Sequence, residues 1–579
     1  MSEHPWIAHY DKGVSAALEY PEEPLYYFLQ ESARKYPNRA CTIFKGAAIS
    51  FKEMDDISDH VAAALVDLGV KKGDRVGIFM PNTPQFVMAY FGILKAGGVV
   101  VATNPLYTPP EIAYQANDAG IELMFIMTNF YKIIKAAQPN TKIRKLIVTN
   151  LKETLPPLMS VLFTLAREKK GGFRVEGGLS EGDVWMKDLI ASHRTSPRPN
   201  VAVGPDDTAL FQYSGGTTGT SKGAVASHRN VAANTLQLKS WLVIMEDGKE
   251  SLLMAIPLFH VYGMVAGMMN AISLGATMII IPNARDIPDV LENIHKYRPT
   301  IFPGVPTLYN AINNHPDVVS GKIHLGSIKA CISGSAPLLR ETKERFEALS
   351  GGKVFEGYGL SEAPTATHCN PLLGMNKTGS IGLPLPDVDC KVISLDDGET
   401  EMPLGEIGEL VINGPQVMKG YHNMPTETAN ALRRLKDGRT WLFTGDIVRM
   451  DEDGYFYIVD RKKEVIKPGG FQVWPREVEE AIAAHPKVLE VGVAGIPDPY
   501  RGETVKAWIV LKPGETATEQ EIKGFCKERL AAYKVPTHYE FRRELPKTTV
   551  GKILRRELVR QHKESPSDET TLNAEELPM

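Results

Sequence analysis

At 579 residues the chain is several times the size of a single hydrophobic core, so two or more domains are expected. Hydrophobic residues make up 43%, charged residues 23% and the formal net charge is −4, an ordinary globular balance with no basic excess to suit nucleic acid. The five cysteines (Cys41, Cys331, Cys369, Cys390, Cys526) lack CxxC or His-paired spacing, which argues against a disulfide framework or thiolate metal site.

The opening MSEHPWIAHYDKG has neither the basic nor the apolar region of a secretion signal, so a cytoplasmic location is expected. From about 50 to 130 helices and strands alternate. DISDHVAAALVDLGV (56–70) reads as an amphipathic helix ending at Gly69, and GDRVGIFMP (73–81) as a buried strand closed by proline. TPQFVMAYFGILKAGGVVVATNP follows as helix plus strand. Continuous apolar strands between helices predict a parallel sheet covered on both faces.

LPPLMSVLFTLAREKKGGFR (155–174) combines apolar patches with a basic end, as an interfacial helix would. YSGGTTGTSKGAVASHRN (213–230) is rich in glycine and hydroxyls around Lys222, a composition suited to gripping phosphate. It is not a Walker A loop, because Ser221 precedes Lys222 where Gly is required and Gly223 follows it. LLMAIPLFHVYGMVAGMMNAISLGATMIII (252–281) is long enough to span a bilayer. Pro257, His260, Asn270 and Gly275 instead divide it into strand, turn, helix and strand.

The α/β rhythm recurs at 299–312 and 328–334. GSAPL (334–338) and EGYGLSEA (356–363) each follow a strand. From 404 the texture becomes short strands and turns such as Asp453-Gly454, in GEIGELVINGP, FTGDIVRMDEDGYFYIVDRKKE and VLEVGVAGIPD. TEQEIKGFCKERLAAYKVP is a helix stopped by Pro536, and PKTTVGKILRRE (546–557) puts Lys552 in a turn before a helix. The predicted class is α/β. A large N-terminal domain of helix-covered sheets spans 1–459, with a β-rich subdomain over about 385–459. A small α+β C-terminal domain covers 460–562, and the polar tail 563–579 is expected to be disordered.

Taken together, in this order and at these distances, the segments resemble the adenylate-forming superfamily of acyl-CoA synthetases, adenylation domains and firefly luciferase. The resemblance runs from about 25 to 560. VDRKKEVIKPGGFQVWPREVEEAI is most similar to fatty-acyl-CoA and 4-coumarate-type CoA ligases, and the chain as a whole to bacterial long-chain fatty-acid–CoA ligases.

The resemblance implies ATP and CoA as co-substrates, Mg²⁺, and a two-step reaction through acyl-AMP with release of pyrophosphate and AMP. It implies that Ser214, Gly215, Gly216, Thr217, Thr218, Gly219 and Lys222 wrap the outer phosphates. The family usually has Pro where Ser221 stands. Gly334, Ser335, Ala336 and Pro337 would form one wall of the adenine slot with Tyr358 stacking on the base, and Gly357 and Gly359 would also bind the nucleotide. Ser361 would face phosphate and Glu362 would bind Mg²⁺. Asp446 would hold the ribose hydroxyls, supported by Arg461, and Asp460 would be the hinge of a mobile C-terminal domain.

Lys552 would bridge carboxylate and α-phosphate as the principal catalytic group, with Lys467, Gln472 and His260 near the reacting atoms. Gly469 and Gly470 would line the CoA tunnel. Tyr262, Met264, Gly304, Val305 and Pro306 would line or gate an apolar acyl pocket, which suits a medium-to-long-chain fatty acid. An aryl-acid ligase, an acyl-AMP ligase loading a carrier protein, a luciferase-like oxidase and an inactive homologue share parts of this pattern. A homodimer is compatible with it, as is peripheral membrane contact through 155–174.

Overall fold

The structure, a computed structural model, describes residues 4–214, 221–468, 471–548 and 551–564. The chain forms two compact units. The first runs to Asp389 and takes in Ile412–Leu442; the second comprises Cys390–Val411 and Phe443 onward. The division passes through the β-rich stretch, whereas sequence texture sets its boundary at Asp460.

The first unit holds an eight-stranded sheet whose order is Gly420–Tyr421, Lys222–Ser227, Thr208–Ser214, Val99–Ala102, Arg75–Phe79, Leu123–Met127, Lys145–Thr149, Val184–Trp185. Pairing is parallel from Thr208–Ser214 through Val184–Trp185. Only the hairpin Thr208–Ser214/Lys222–Ser227 and the short Gly420–Tyr421 strand run antiparallel. Strand residues Val99, Val101, Met124, Ile126, Leu146 and Val148 are buried against Ile112, Ala116 and Ile134 of the crossover helices. Such runs, apolar at every position, form when both sheet faces are covered.

A second layer joins Ser251–Met254, Thr277–Ile280, Ala40–Phe44 and Ala47–Ser50. Through bridges of Ile301 to Leu252 and Ala330 it meets the set Ala330–Ser333, Lys353–Leu360, Ala363–Cys369, Leu383–Pro384.

Several boundaries differ from the sequence reading for identifiable reasons. The helix expected over 56–70 starts at Phe51 and ends at Asp67, because Ser50 and Glu53 form a capping box that draws the start upstream. The apolar 252–281 stretch does divide as expected, into Ser251–Met254, the helical turns of Tyr262–Ser273 and Thr277–Ile280. No helix among the described residues is long and apolar enough to cross a membrane.

In the second unit the turn at Gly454 (φ 81°) joins two antiparallel strands, the second being Phe456–Arg461. VLEVGVAGIPD is one long strand, Val488–Asp498, paired with Gly502–Leu511 rather than a set of short ones. The following helix spans Glu519–Lys527, ending well before Pro536, with Thr518 accepting from Glu521 N–H at its start. Helices Pro475–Ala483 and Glu519–Lys527 bury Val478, Ile482, Ile522 and Cys526 against Val493, Val505, Ala507 and Ile509 of this sheet. The tail beyond Glu564 lies outside the described residues.

Two buried histidines of the first unit give the fold a pH signature. His228 accepts the Leu25 N–H on Nδ1 at 3.0 Å, and His368 lies 2.9 Å from the Thr367 hydroxyl. Burial lowers them to about 4 and about 3 respectively. The unfolded chain then binds protons that the native state refuses as pH falls below about 6.5, so stability present at neutral pH is lost on acidification. Denaturant unfolding at pH 7 and pH 5 should differ by about 2 kcal/mol per histidine, and His368→Gln should reduce that difference.

Candidate active site

The segments expected to hold adenine lie side by side. Ala330–Ser333 and Lys353–Glu356 are parallel neighbours with Ser333 opposite Glu356, so Gly334–Pro337, leaving the first strand, runs beside Gly357–Gly359, which continue the second. The carboxyl ends of such strands are where α/β sheets receive ligands. Glu356 ties the two segments by accepting the Leu338 N–H at 3.3 Å. Ser335 takes a φ of 70°, unusual for a residue with a Cβ, which turns the chain sharply after the strand.

Tyr358 is half-buried, pairs with His368 across the hairpin and contacts its ring at 5.8 Å. EGYGLSEA is not a loop: strand geometry continues to Leu360, and Ser361 and Glu362 form the turn before Ala363–Cys369.

Opposite Ser214 in register, Lys222 opens the return strand of the hairpin expected to grip phosphate. Gly215, Gly216, Thr217, Thr218 and Gly219 lie outside the described residues. Lys222 pairs with the Glu427 carboxylate and its ammonium lies 5.3 Å from the Tyr421 ring centroid. The Tyr421 hydroxyl donates to Glu362 Oε1 at 2.7 Å. One tyrosine therefore links the hairpin lysine to the carboxylate expected to hold Mg²⁺, although Lys222 and Glu427 are 205 positions apart.

His260 is half-buried, and its Nδ1 accepts the Tyr262 N–H at 3.2 Å, leaving Nε2 to carry the proton. Burial lowers it to about 4, so at neutral pH it presents an uncharged N–H donor. Tyr262 is buried, its hydroxyl lying 3.0 Å from the Gly304 carbonyl and 2.7 Å from the Ile332 carbonyl. A Cβ added at Gly334 would stand 3.4 Å from the Tyr262 ring. Tyr262, Gly304 and the start of the GSAPL segment are thus in contact. Met264 and Val305 are buried, and Pro306 begins the helix Pro306–Asn313.

In the second unit, Asp446 and Arg461 face each other across the antiparallel pair, with Arg461 Nε 2.8 Å from Asp446 Oδ1. Asp446 is buried at 2% exposure, so the arginine supplies the counter-charge its carboxylate needs. Lys552 lies within the electrostatic reach of this pair and of Glu464. Its turn is closed by Thr548, which accepts the Lys552 N–H at 3.1 Å, and by Gly551 at φ 80°. Surrounding protein, then the Arg461 guanidinium, lower the ammonium to about 8 against the opposing pull of Asp446 and Glu464. The side chain is nonetheless exposed, and water reaching it makes about 8 the far end of that downward departure.

Lys467 and Gln472 are exposed on a separate hairpin closed by the Ile466–Val473 bridge. Gly469 and Gly470 lie outside the described residues. Asp460 is buried. Its Oδ1 accepts the Arg461 N–H at 2.7 Å and its Oδ2 the Arg476 N–H at 2.6 Å. Arg555 Nη1 approaches Oδ1 at 3.2 Å.

Sequence reasoning missed Tyr421, Glu427, Arg555 and Glu479. Arg555 stood within reach, three positions after Lys552 in the segment already singled out. Tyr421 and Glu427 matter only through partners distant in sequence.

The AMP-binding enzyme family model matches residues 29–422, and that of the AMP-binding enzyme C-terminal domain matches 477–552. The chain is 43% identical over 568 residues to the long-chain-fatty-acid–CoA ligase of Bacillus subtilis (strain 168), covering 98% of this chain and 99% of that one. Among solved structures it is similar to ATP-bound MatB from Rhodopseudomonas palustris. That match has a TM-score of 0.80 at 29% identity, covering 94% and 99% of the two chains. The anthranilate CoA ligase AuaEII in complex with anthranoyl-AMP matches with a TM-score of 0.80 at 27% identity, covering 94% and 98%. With a matching model over most of its length and a near-full-length relative at this identity, the chain belongs to the AMP-binding enzyme family, the adenylate-forming enzymes its nucleotide motifs resemble.

Proposed function

We propose that the chain is an ATP-dependent long-chain fatty acid–CoA ligase, an acid–thiol ligase working in two steps. A carboxylate oxygen of the fatty acid attacks the α-phosphorus of ATP and the bond to pyrophosphate breaks, giving acyl-AMP. The CoA thiol sulfur then attacks the acyl carbonyl, its proton is lost, and AMP leaves with the carbon–oxygen bonding pair. The observation that carries this reading is the joining of Lys222 to Glu362 through Tyr421 at the hairpin bearing the glycine-rich loop.

In this reading Lys222 meets the outer phosphates, and Gly334–Pro337 with Tyr358 hold adenine. Asp446, steadied by Arg461, accepts from the ribose hydroxyls. Lys552 stabilises charge as the acyl–phosphate bond forms. His260 offers a neutral N–H to the carboxylate, and the apolar residues around it suit an alkyl chain better than a charged substrate. The small domain beginning at Asp460 turns between the two steps, exchanging Lys552 for the Lys467–Gln472 hairpin.

Mg²⁺ fits the donor set. Among the described residues no group of three His, Cys, Asp or Glu could hold a metal alone, and Mg²⁺ is ordinarily held by one or two carboxylates plus substrate phosphates. Glu362 supplies that carboxylate, oriented by Tyr421. When bound, the ion neutralises phosphate charge.

The test is AMP and thioester formation with ATP, Mg²⁺ and CoA across acetate, octanoate, dodecanoate, palmitate, benzoate and 4-coumarate. A maximum at the longer aliphatic acids is expected. A maximum at an aromatic acid would keep the chemistry and overturn the acyl-pocket assignment. AMP release without acyl-CoA would point to a carrier-protein acceptor, and absence of turnover would defeat the reading.

Glu427 gives a second handle on the phosphate site. Its pairing with Lys222 must break before phosphate can take the ammonium, and a partly exposed pair of this kind is worth about 0.2–1 kcal/mol. Glu427→Gln is expected to lower KM for ATP by roughly two- to fivefold with kcat unchanged. A rise in KM would instead make Glu427 a support that holds Lys222 in place.

A further inference from the structure

The helix Pro157–Ala166 turns its apolar side outward. None of its ten residues is buried, and Leu158, Met159, Val161, Leu162 and Leu165 are all among the exposed large apolar side chains, Leu165 at 80% and Leu158 at 72%. Leu158, Val161, Leu162 and Leu165 stand three and four positions apart, which puts them on one stripe. The opposite stripe is the one the protein holds: Ser160 and Phe163 are partly buried, and Phe163 meets Phe173 edge-on at 5.3 Å.

The segment is anchored rather than loose. Glu168, just beyond the helix, is buried, pairs with Lys152 at 2.7 Å and accepts from the Asn150 amide at 3.0 Å. The Phe173 N–H closes onto the Glu168 carbonyl at 2.9 Å. Immediately after the helix come Arg167, Lys169, Lys170 and Arg174, all exposed and none in an ion pair among the described residues. An outward apolar stripe beside four unneutralised cations is costly in water and matches an interface with an apolar interior and anionic headgroups.

We propose that this helix and the cations after it form a docking surface for the anionic face of a lipid bilayer. The apolar stripe inserts at the headgroup level, and Arg167, Lys169, Lys170 and Arg174 contact lipid phosphates. The surface would place the enzyme where long-chain carboxylic acids concentrate, a purpose that rests on the fatty-acid reading above. The binding itself does not rest on it.

The full-length protein should co-float with phosphatidylcholine vesicles containing about a third phosphatidylglycerol, and weakly with phosphatidylcholine alone. Leu162→Gln/Leu165→Gln should reduce flotation on the anionic vesicles about tenfold or more. Arg167→Gln/Lys169→Gln/Lys170→Gln should abolish the preference for anionic lipid and its sensitivity to salt. Turnover of octanoate, which is soluble without a membrane, should be unchanged in both variants.

Flotation of the variants equal to that of the wild type, or no flotation of the wild type, overturns the surface. So does a concentration-dependent dimer that the leucine variants abolish while vesicle binding stays absent, because a second copy would then be the occupant. Flotation without acyl-CoA formation from any fatty acid would defeat the functional reading and leave the surface standing. Acyl-CoA formation without flotation would do the reverse.

Discussion

Replacing Lys552 by alanine is expected to slow acyl-AMP formation by roughly 10²- to 10³-fold, the usual cost of removing one preorganised group from a developing charge. Conversion of supplied acyl-AMP and CoA to thioester should change only a few-fold. The asymmetry follows from the proposed role. Two anions must meet in the first step, and a cation placed between carboxylate and α-phosphate acts most strongly as negative charge gathers there. The thiol attack that follows discharges AMP and has no such requirement. Pyrophosphate exchange reads the first half-reaction and thioester release the second. Equal losses in both would reduce Lys552 to a structural residue.

The same lysine predicts a pH limb. Its active form is the cation, and in the ligand-free enzyme the surrounding protein and then Arg461 lower this exposed ammonium toward about 8. The protonated fraction therefore falls as pH rises through that value, and kcat/KM for adenylation should decline on the alkaline side with a midpoint between about 8 and the ordinary lysine range. Lys552→Arg should remove the limb, because a guanidinium stays charged throughout. Bound ATP adds negative charge around the ammonium, so kcat should hold to higher pH than kcat/KM does. His260 contributes no limb in this range, being already neutral above about 4.

What the sequence disclosed was local. The alternation of buried strands and helices is written in contiguous runs such as GDRVGIFMP, and the hairpin around Lys222 in its glycines and hydroxyls. The capping box at Ser50 was equally visible and would have corrected the helix start. The continuation of the Lys353–Leu360 strand through EGYGL was hidden, because glycines that look like loop residues can also permit close strand approach. A Cβ at Gly359 would collide with the Thr365 carbonyl at 1.5 Å. Contacts made across long sequence separations were hidden as well. Tyr421 and Glu362 are 59 positions apart, and Arg555 and Asp460 are 95 apart. Nothing in GYHNMPTET announces that its tyrosine will orient a carboxylate on another strand.

Arg555→Met is expected to destabilise the second unit by about 3–5 kcal/mol, the range for removing one partner of a buried ion cluster. Arg555 meets Glu479 with two parallel bonds, Nε to Oε1 at 2.9 Å and Nη2 to Oε2 at 2.6 Å. Its Nη1 serves both Asp460 and Glu464. The side chains of Arg555, Glu479 and Asp460 are only 18%, 17% and 2% exposed, so the methionine would leave carboxylates facing one another with little water to screen them. Arg555→Lys keeps the charge and loses the planar fork, so a smaller loss is expected.

The sign of the pH dependence separates this mechanism from simple loss of packing. Burial already holds the Glu479 carboxyl above its ordinary range, and Arg555 is the main force opposing it. Without the arginine the folded-state carboxyl rises further above its unfolded value, and protonation relieves the strain as pH falls. The deficit of Arg555→Met relative to wild type should therefore shrink between pH 7 and pH 5, and Glu479→Gln in the same chain should restore part of it at neutral pH. A deficit independent of pH would mean that only shape was lost. Because Arg555 also bonds Asp460 and lies one turn after Lys552, the cluster ties the proposed hinge to the proposed catalytic lysine. Arg555→Lys should accordingly disturb the ratio of the two half-reactions more than their sum.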